Sequence, residues 1–332
     1  MKQNRRLFFV CLVLFALFLS GCHFESGNVS YSQLPLAYTG TNSFEEYDVG
    51  NDRNADFLNG RGSEVCISES SASDTDNSGN DYVYGLYQVT GNKVLKEYRT
   101  NEKIYPASTT KLLTTLVALK YCNLSETVTF SYNASHVGVY GAVLCGFEEG
   151  DRVMLGDLLA ALLICSGNDA GIAVAEHVSG SVEAFAELMN EEAKKLGAVD
   201  THFVNPHGLH NKEHYTTAYD IYLILNELIH YNSFLSIISM PSCEVWYTDA
   251  NGNTKCKVFE STNLFFNGKF KVPEGIEIIG GKTGTTNAAG CCLTLYFKDE
   301  EERFYIAEVF HAPSYEVLYG KMVELMNQAA AQ

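Results

Sequence analysis

The 332-residue chain carries 40 acidic and 23 basic residues, which gives a formal net charge of −17 at pH 7. This acidic balance argues against nucleic-acid binding and against adhesion to an anionic surface, because both need concentrated positive charge. The charge bears on solubility and on partners, and it carries no information about a substrate.

The first 21 residues have the pattern of a bacterial lipoprotein signal peptide. Basic residues precede an apolar run over 7–19, which is too short to span a bilayer comfortably. Small residues then lead directly into Cys22, as at a lipoprotein cleavage site. We therefore predict that Cys22 is lipidated and anchors an exported protein to the outer face of a bacterial cytoplasmic membrane. The alternative is an ordinary secretory signal in which Cys22 is incidental.

The composition of residues 22–80 indicates an acidic, flexible tether. Between 23 and 80, ten acidic residues stand against two arginines, among many Ser, Asn and Gly. Such a segment cannot bury enough apolar surface to order itself. As a flexible coil it would span on the order of 40 Å, which would lift residues 81–332 away from the membrane and toward the cell wall. By length, those residues form one domain, although two are possible.

The predicted elements of residues 81–332 begin with a hairpin, continue with helices and end with strands and a last helix. The hairpin covers 82–89 and 94–98, around Thr90-Gly91-Asn92. Apolar residues at helical spacing predict helices after Ser108, over 158–164, over 170–177 and over 182–196. Ser181 and Gly197 are the predicted N-cap and C-cap of the last of these, and Thr217 with Asp220 forms a predicted capping box.

Strands are then predicted over 278–284, 292–297 and 304–310, followed by a helix over 315–328. Helices that lie between two parts of one antiparallel sheet predict an α+β fold with about five strands. Cys291 and Cys292 are neighbours on one of these strands, so their side chains should face opposite sides of the sheet.

Ser108 and Lys111 form the first candidate catalytic pair. Residues three apart share one side of a helix, so the Lys111 amine can reach the Ser108 hydroxyl and take its proton. Pro106 predicts a helix start, where the dipole favours a developing alkoxide. The apolar run that follows is apolar on several faces, which predicts a buried helix. Lys111 can act as a base only if burial and a second cation, for which Lys282 is the candidate, lower its pKa.

Two further motifs supply the rest of the predicted site. Ser166 and Asn168 lie in a turn between two apolar helical runs, where a hydroxyl can relay a proton and an amide can hold a substrate carbonyl. Lys282, Thr283 and Gly284 lie on a glycine-rich strand whose edge a substrate backbone can approach. Each motif alone is common, but the three together, in this order, indicate a serine acyl-transfer site.

These three motifs resemble the signature of the penicillin-interacting serine enzymes. Within that group the chain is similar, over roughly residues 81–325, to the low-molecular-mass penicillin-binding proteins that act as D-alanyl-D-alanine carboxypeptidases. The form Ser166-Gly-Asn-Asp-Ala170 and the segment 185–209 carry this similarity. The resemblance implies a β-lactamase/DD-peptidase-like transpeptidase fold with a helical lobe. Only four residues of the sequence follow the last predicted helix, so the second all-β domain of some relatives is expected to be absent.

The resemblance also implies a reaction. Ser108 would attack the carbonyl between the two terminal D-alanines of a peptidoglycan pentapeptide stem, with Lys111 as base, and Ser166 would help protonate the leaving D-alanine. The backbone N–H groups of Ser108 and Thr285 would bind the oxyanion. Water would then release the acyl-enzyme, and β-lactam antibiotics would act as covalent inhibitors. Neither a cofactor nor a metal is required. The implied substrate-binding residues are Asn168, Lys282, Thr283, Gly284 and Thr285.

Two other functions remain as alternatives. A serine β-lactamase of similar fold would need a positioned carboxylate for rapid deacylation. Glu187 and Asn190 superficially offer a suitable pair, but they fall inside a predicted helix, which favours structural roles. A non-catalytic wall-binding lipoprotein is disfavoured by the intact Ser, Lys, Asn and Lys.

The sequence departs from the pattern of the family in one respect, which concerns substrate recognition. Related carboxypeptidases often hold the terminal carboxylate of the substrate with an Arg after the last strand, and no Arg follows Arg303 here.

The cysteines and loop histidines allow more than one interpretation. The ten cysteines show no Cys-x-x-Cys metal pattern. Cys165, beside Ser166, could be a second nucleophile, but its place at the end of an apolar helix favours a buried structural thiol. So many thiols in an exported protein indicate either disulfides or an anaerobic habitat. Four histidines between 202 and 214 could form a metal site, although loop histidines near a cleft are commoner.

Overall fold

The fold is described from a computed structural model of the chain, which covers residues 65–67 and 81–332. The predicted signal peptide, the lipidation site at Cys22 and nearly all of the predicted tether lie outside these residues. No helix within the described part of the chain is long and apolar enough to cross a membrane.

Two antiparallel sheets and eight α-helices make up the described residues. The strands, in chain order, are β1 (Val83–Gln88), β2 (Lys93–Tyr98), β3 (Thr127–Thr129), β4 (Arg152–Met154), β5 (Ser242–Thr248), β6 (Thr254–Glu260), β7 (Ile276–Thr286), β8 (Gly290–Asp299) and β9 (Phe304–Ala312). The helices are α1 (Thr110–Tyr121), α2 (Tyr132–Ser135), α3 (Leu155–Ile164), α4 (Asn168–Ser179), α5 (Val182–Lys195), α6 (Ala218–Leu228), α7 (Asn232–Ile238) and α8 (Tyr315–Ala330).

The central sheet has five strands in the order β2-β1-β9-β8-β7. The N-terminal hairpin lies against the last strand of the chain, with Tyr84 paired to Val309. All the helices except α8 lie between β2 and β7 in the sequence, so they are inserted between the two parts of one sheet. The predicted α+β fold, with its five-stranded antiparallel sheet, is therefore confirmed.

A second sheet, with the order β3-β4-β5-β6, was not predicted. Its first two strands have only three residues each, too few to show an alternating pattern. The β5–β6 hairpin does carry a signal, because Cys243 and Val245 are buried while Glu244 and Trp246 between and beside them are exposed. This alternation is typical of a strand with one buried face.

Helix α1 passes through the centre of the helical lobe, as its apolar sequence predicts. Its residues 110–119 are all buried, and they pack against α4, α5 and α6. A helix that is surrounded in this way holds its first turn in a fixed position, and that turn follows directly after Ser108. The buried helix therefore provides a rigid support for the predicted nucleophile.

Most of the predicted helix caps are confirmed. The Ser181 side chain accepts from the backbone N–H of Ala184 at 3.1 Å, and Gly197 takes the left-handed conformation, φ +86°, just after α5. Thr217 accepts from the N–H of Asp220 at 3.0 Å, as a capping residue should. The Asp220 carboxylate, however, accepts from the N–H of Asp200 instead of closing the predicted capping box, so that prediction is half correct.

The central sheet separates two hydrophobic cores. One lies under α8, and the other lies in the helical lobe. Cys291 belongs to the core under α8 and Cys292 to the lobe core, which confirms that these neighbours face opposite sides. The candidate site lies on the lobe side, where β7 meets the start of α1.

Candidate active site

Ser108 and Lys111 meet at the entrance of α1. Ser108 lies in a short 3-10 turn, Ala107–Thr109, which leads directly into the helix. The Lys111 Nζ donates to the Ser108 Oγ over 3.0 Å. Ser108 is half-buried, whereas Lys111 has no exposed side-chain surface. The partly accessible Ser108 hydroxyl and the solvent-excluded Lys111 amine are therefore in direct contact.

The turn that carries Ser108 has a strained backbone. Ala107 has φ +48°, a left-handed conformation that is uncommon for a residue with a side chain. The Thr110 Oγ1 donates to the carbonyl of Ala107 at 2.8 Å and holds this conformation. Strain of this kind persists only where the surroundings impose it, and it clusters at functional sites.

Two glycines lie in close contact with this turn, one in the loop between α5 and α6 and the other on β7. A Cβ placed on Gly208 would lie 1.7 Å from the carbonyl oxygen of Ala107, and a Cβ on Gly284 would lie 2.9 Å from the backbone N of Ser108. Neither position can carry a side chain without displacement. Gly284 was predicted at the site, whereas Gly208 was missed because its role depends on a contact between distant segments.

Lys111 donates to three acceptors. Besides Ser108, it donates to the Asn168 Oδ1 at 2.8 Å and to the backbone carbonyl of His207 at 2.7 Å. Burial, and next the charge of Lys282, hold the pKa of Lys111 well below its ordinary value. A neutral amine can still donate two protons, to Asn168 and His207, and then its lone pair points at the Ser108 hydroxyl. The site thus orients Lys111 to accept a proton from Ser108.

Lys282 lies on β7 and reaches the second serine. Its Nζ donates to the Ser166 Oγ at 3.1 Å and to the Thr283 carbonyl at 3.0 Å. Burial lowers the pKa of Lys282 to about 7, although the nearby Cys165 thiol opposes that shift. Ser166 itself has φ +70°, a second strained position at the site. Ser166 and Lys282, each predicted at the site separately, are therefore joined by a direct hydrogen bond.

The strand edge beyond Lys282 is polar and partly open. The Thr283 Oγ1 lies 2.6 Å from the Thr262 Oγ1. The exposed Thr285 donates its hydroxyl to the Gly284 carbonyl at 2.7 Å, and its Oγ1 is 3.1 Å from the Tyr315 hydroxyl. Tyr315, the first residue of α8 and 39% exposed, was not predicted here. It lies after the last strand, in the region where related enzymes often place an Arg.

The loop histidines position the turn and do not gather as metal ligands. The Nδ1 of His214 accepts from the backbone N–H of Val204 at 3.1 Å, so its Nε2–H donates to the Thr110 Oγ1 at 2.8 Å. The Nδ1 of His207 accepts from the Leu209 N–H at 3.1 Å. Burial lowers the pKa of both imidazoles to about 3, which keeps them neutral. These contacts favour the interpretation of loop histidines beside a cleft.

A separate cluster could accept a metal ion. Cys122, Glu126 and His177 place one ligand atom each within 4.8 Å of one another. The cluster lies just after the C-terminal end of α1, whereas Ser108 lies just before its N-terminal end. A helix of 12 residues is roughly 18 Å long, so a metal bound there would not reach the Ser108 hydroxyl.

The two residues considered for a β-lactamase, Glu187 and Asn190, both lie on α5. Glu187 is exposed on α5, inside the helix that the sequence predicts. Asn190 donates to the Phe203 carbonyl at 2.8 Å and accepts from the Phe203 N–H at 2.8 Å, which is a structural role. Asp169 does act electrostatically on Lys111, but its oxygens accept from the backbone N–H groups of Cys145 and Gly146.

Comparison with known proteins gives a family match over most of the chain. The model of peptidase family S11, described as D-alanyl-D-alanine carboxypeptidase, matches residues 71–314. D-alanyl-D-alanine carboxypeptidase DacF of Bacillus subtilis is 34% identical over 245 residues, which are 72% of this chain and 59% of the relative. DacC of Escherichia coli, of the same description, is 40% identical over 213 residues, which are 62% of this chain and 50% of the relative. The chain therefore spans between half and three fifths of the length of these relatives.

Solved structures show the same fold. The DD-transpeptidase of Streptomyces K15 superposes with a TM-score of 0.69 at 24% identity, covering 75% of this chain and 96% of that one. A D-alanyl-D-alanine carboxypeptidase from Mycobacterium tuberculosis superposes with a TM-score of 0.66 at 25% identity, covering 75% of this chain and 90% of that one. The predicted transpeptidase fold is confirmed.

Proposed function

The chain belongs to the S11 peptidase family of D-alanyl-D-alanine carboxypeptidases, and we propose that it removes the terminal D-alanine from peptidoglycan pentapeptide stems. The observation that carries this proposal is the contact between the Lys111 Nζ and the Ser108 Oγ at 3.0 Å, in a site where burial and a second lysine lower the pKa of Lys111. A serine nucleophile needs such a base, since its own hydroxyl is a weak nucleophile.

Acylation begins with a proton transfer. The neutral Lys111 amine takes the proton of the Ser108 hydroxyl as the Ser108 Oγ forms a bond to the carbonyl carbon between the two D-alanines. The developing oxyanion accepts from the backbone N–H groups of Ser108 and Thr285. The close packing of Gly284 on the Ser108 backbone supports this arrangement, because it brings strand β7 next to the nucleophile.

Departure of D-alanine needs a proton on its nitrogen. Ser166 supplies its hydroxyl proton to the leaving amine as the carbon–nitrogen bond breaks, and Ser166 recovers a proton from Lys282, which donates to it at 3.1 Å. Asn168 holds Lys111 through its Oδ1, which leaves its Nδ2 group to orient the peptide. Lys282, Thr283 and Thr285 bind the terminal carboxylate at the strand edge.

Deacylation returns the enzyme to its starting state. After D-alanine has left, the proton that Lys111 took from Ser108 passes through solvent to Lys282, so the Lys111 amine is neutral again. Lys111 then accepts a proton from a water molecule as that water attacks the ester carbonyl. It returns this proton to the Ser108 Oγ as the ester bond breaks and the shortened stem peptide leaves. With Glu187 exposed on α5 and Asp169 engaged with backbone N–H groups, deacylation of a β-lactam adduct is expected to be slow. β-Lactam antibiotics therefore act as covalent inhibitors of the enzyme, which favours a carboxypeptidase over a β-lactamase.

The same enzyme is proposed to work outside the cytoplasmic membrane on a lipid anchor. The support is in the sequence alone, where a basic start and a short apolar run lead to Leu19-Ser-Gly-Cys22 and then to an acidic segment. Replacing Cys22 with Ser should release the chain or leave an unprocessed precursor. Normal processing and membrane retention of Cys22→Ser would contradict the lipid anchor without affecting the proposed reaction.

The proposed reaction is tested by incubating the full-length chain with a pentapeptide stem and following D-alanine release by mass spectrometry. We expect one D-alanine per stem from the wild type and none from Ser108→Ala. Ser125→Ala, which changes an exposed serine in the loop after α1, should retain full activity. D-Alanine release by Ser108→Ala would contradict the proposal. Rapid β-lactam hydrolysis that is lost in Glu187→Gln would instead favour the β-lactamase.

A further inference from the structure

Two cysteine thiols that have no part in the proposed reaction lie in contact beside the active site. The Sγ atoms of Cys145 and Cys165 are 3.5 Å apart. Cys145 is buried in the loop before β4, and Cys165 ends α3, immediately before Ser166. Two other buried thiols, those of Cys66 and Cys292, lie against backbone carbonyls. The Cys165 thiol also donates to a backbone carbonyl, that of Ala161 at 3.3 Å, but in addition its sulfur lies against the sulfur of Cys145.

The backbone on both sides of the two sulfurs is already held in place. The Asn168 N–H donates to the Val143 carbonyl at 2.8 Å, and the Asp169 carboxylate accepts from the N–H groups of Cys145 and Gly146, each at 2.8 Å. These bonds join the loop over 143–146 to the turn that carries Ser166 and Asn168. A disulfide between the two sulfurs would therefore link segments that already lie together.

Gly167 provides the space in which the sulfurs meet. A Cβ on Gly167 would lie 2.2 Å from the Cys145 Sγ, so the sulfur occupies the position that a side chain would fill. A disulfide requires an S–S distance of about 2.05 Å. The two sulfurs, now 3.5 Å apart, would therefore have to approach each other by about 1.5 Å.

The two thiols differ in a way that suits thiol–disulfide exchange. Cys165 is only partly buried, whereas Cys145 is buried. The hydrogen bond from Cys145 lowers the pKa of Cys165, and the same contact together with burial raises the pKa of Cys145. The more accessible and more acidic thiol is the expected attacking group, and its neighbour is the expected resolving group.

We propose that Cys145 and Cys165 form a reversible disulfide, by exchange with a protein or small-molecule disulfide, that locks the wall of the active site. The Cys165 thiolate attacks one sulfur of the incoming disulfide, forming a mixed disulfide and releasing the first thiol. Cys145 then loses its proton to solvent and attacks the Cys165 sulfur, releasing the second thiol. Two electrons pass from the cysteine pair to the incoming disulfide, which is reduced to two thiols.

The disulfide would act on the site through position and through charge. It would fix the loop over 143–146 against the turn of Ser166 and Asn168, two residues of the candidate site. It would also remove two ionisable thiols. The negative charge of a Cys165 thiolate raises the pKa of Lys282, and those of Cys145 and Cys165 raise the pKa of Lys111. Oxidation is therefore expected to lower the pKa of both lysines further. Of the two states that the sequence allows for its many thiols, this pair would take the disulfide, whether or not the protein carries out the proposed carboxypeptidase reaction.

The test uses the full-length chain, purified in reducing buffer and then equilibrated with oxidised glutathione. Free thiols are alkylated, and the digested protein is analysed by mass spectrometry. We expect a cross-linked peptide pair containing Cys145 and Cys165, and the loss of these two residues from the alkylated set. The cross-link should be absent in Cys165→Ser and retained in Cys256→Ser, which changes an exposed cysteine on β6.

Thermal unfolding of the wild type supplies a second readout that does not depend on a variant's folding. The oxidised form should unfold at a Tm higher by roughly 5 °C or more, and dithiothreitol should reverse the change. Full alkylation of both residues after oxidation, or pairing of either one with a different cysteine, would overturn the proposal. A cross-link that leaves Tm unchanged would contradict the locking of the active-site wall.

Discussion

The two faces of the central sheet bury different kinds of side chain. On the face under α8, Leu293, Leu295 and Val309 are fully buried in an apolar core. On the lobe face, the register places Lys282 beside Thr294 and Thr294 beside Glu308, so that a row of buried polar residues crosses β7, β8 and β9. Neighbouring residues on the same strand therefore contribute alternately to an apolar core on one face and to a polar row on the other.

The difference shows how one sheet can carry both stability and reactivity. Each large apolar side chain buried under α8 stabilises the fold by about 1.5–3 kcal/mol. Burial of Lys111, with no exposed surface, and of Lys282, 1% exposed, opposes folding because desolvation disfavours their charged forms. The same desolvation lowers the pKa of Lys111, and only a lysine with a lowered pKa can act as a base near neutral pH.

The largest effect should come from replacing Lys111, the proposed base, with a residue that cannot lose its positive charge. Lys111→Arg keeps a cation near Ser108, but a guanidinium does not lose its proton in the working pH range. We expect the rate of β-lactam acylation to fall by about 10² to 10⁴-fold, as when a general base is lost. Lys120→Arg, at the other end of α1, is the matched control and should acylate at the wild-type rate. Near-normal acylation by Lys111→Arg would place the base elsewhere, with Ser166 or His207 next to test.

The apolar face should respond in stability and not in reactivity. Leu325 on α8 is fully buried under the sheet, and Leu325→Ala should lower the free energy of unfolding by about 2–5 kcal/mol, measured by denaturant titration. The exposed Val258 on β6 is the control, and Val258→Ala should change stability by less than about 1 kcal/mol. The acylation rate per folded molecule should stay within about twofold of the wild type in both variants. A specific loss of reactivity in folded Leu325→Ala would mean that the two faces are coupled.

Glu308 tests how much the buried polar row costs in stability at a position away from the two proposed catalytic lysines. Its Oε1 accepts from the Thr294 hydroxyl at 3.1 Å, its Oε2 has no partner among the described residues, and burial raises its pKa well above the ordinary value. The folded state therefore keeps the proton that the unfolded chain releases above about pH 4.3, so the stability that this group contributes falls as pH rises.

Glu308→Gln removes that titration. We expect the variant to gain about 1–3 kcal/mol of stability over the wild type at pH 8 and little at pH 4, by thermal or denaturant unfolding at both pH values. An equal gain at both pH values would show that the effect arises from packing. A loss of stability at pH 8 would contradict the assignment of a raised pKa to Glu308.

The smallest expected effect concerns the second lysine and appears as a change in pH dependence. The value of kcat/KM for D-alanine release should rise as Lys111 loses its proton and fall as Lys282 loses its own, at a pH of about 7. Lys282→Arg keeps its charge throughout, so the falling limb should disappear, even if the maximal rate drops by about tenfold. Persistence of the falling limb in Lys282→Arg would assign it to another group.

Local signals explain which parts of this structure the sequence predicts. The first hairpin, the buried helix α1 and the caps at Ser181 and Thr217 depend on residues close together in the chain, and all were predicted. The family match confirms the resemblance found in the three motifs. The glycine-rich strand was also predicted, because its residues follow one another in the chain, and the structure shows it as part of β7, beside Ser108.

Contacts between distant segments explain what the sequence did not predict. The His207 carbonyl that accepts from Lys111 is a backbone group, which any residue could supply. Gly208 matters because it lies against Ala107, and Tyr315 because it meets Thr285, both across long separations in the chain. The second sheet was missed because its two shortest strands acquire their pairing only from the assembled fold.

The most direct test of the Ser108–Lys111 site is the identification of the residue that a penicillin acylates. The full-length chain is incubated with the antibiotic, its intact mass is measured, and the modified peptide is sequenced by mass spectrometry. The structure predicts a single adduct on Ser108, its absence in Ser108→Ala, and unchanged thermal stability of that variant within about 1 kcal/mol. An adduct on another residue, or labelling that persists in Ser108→Ala, would contradict the assignment of Ser108 as the nucleophile.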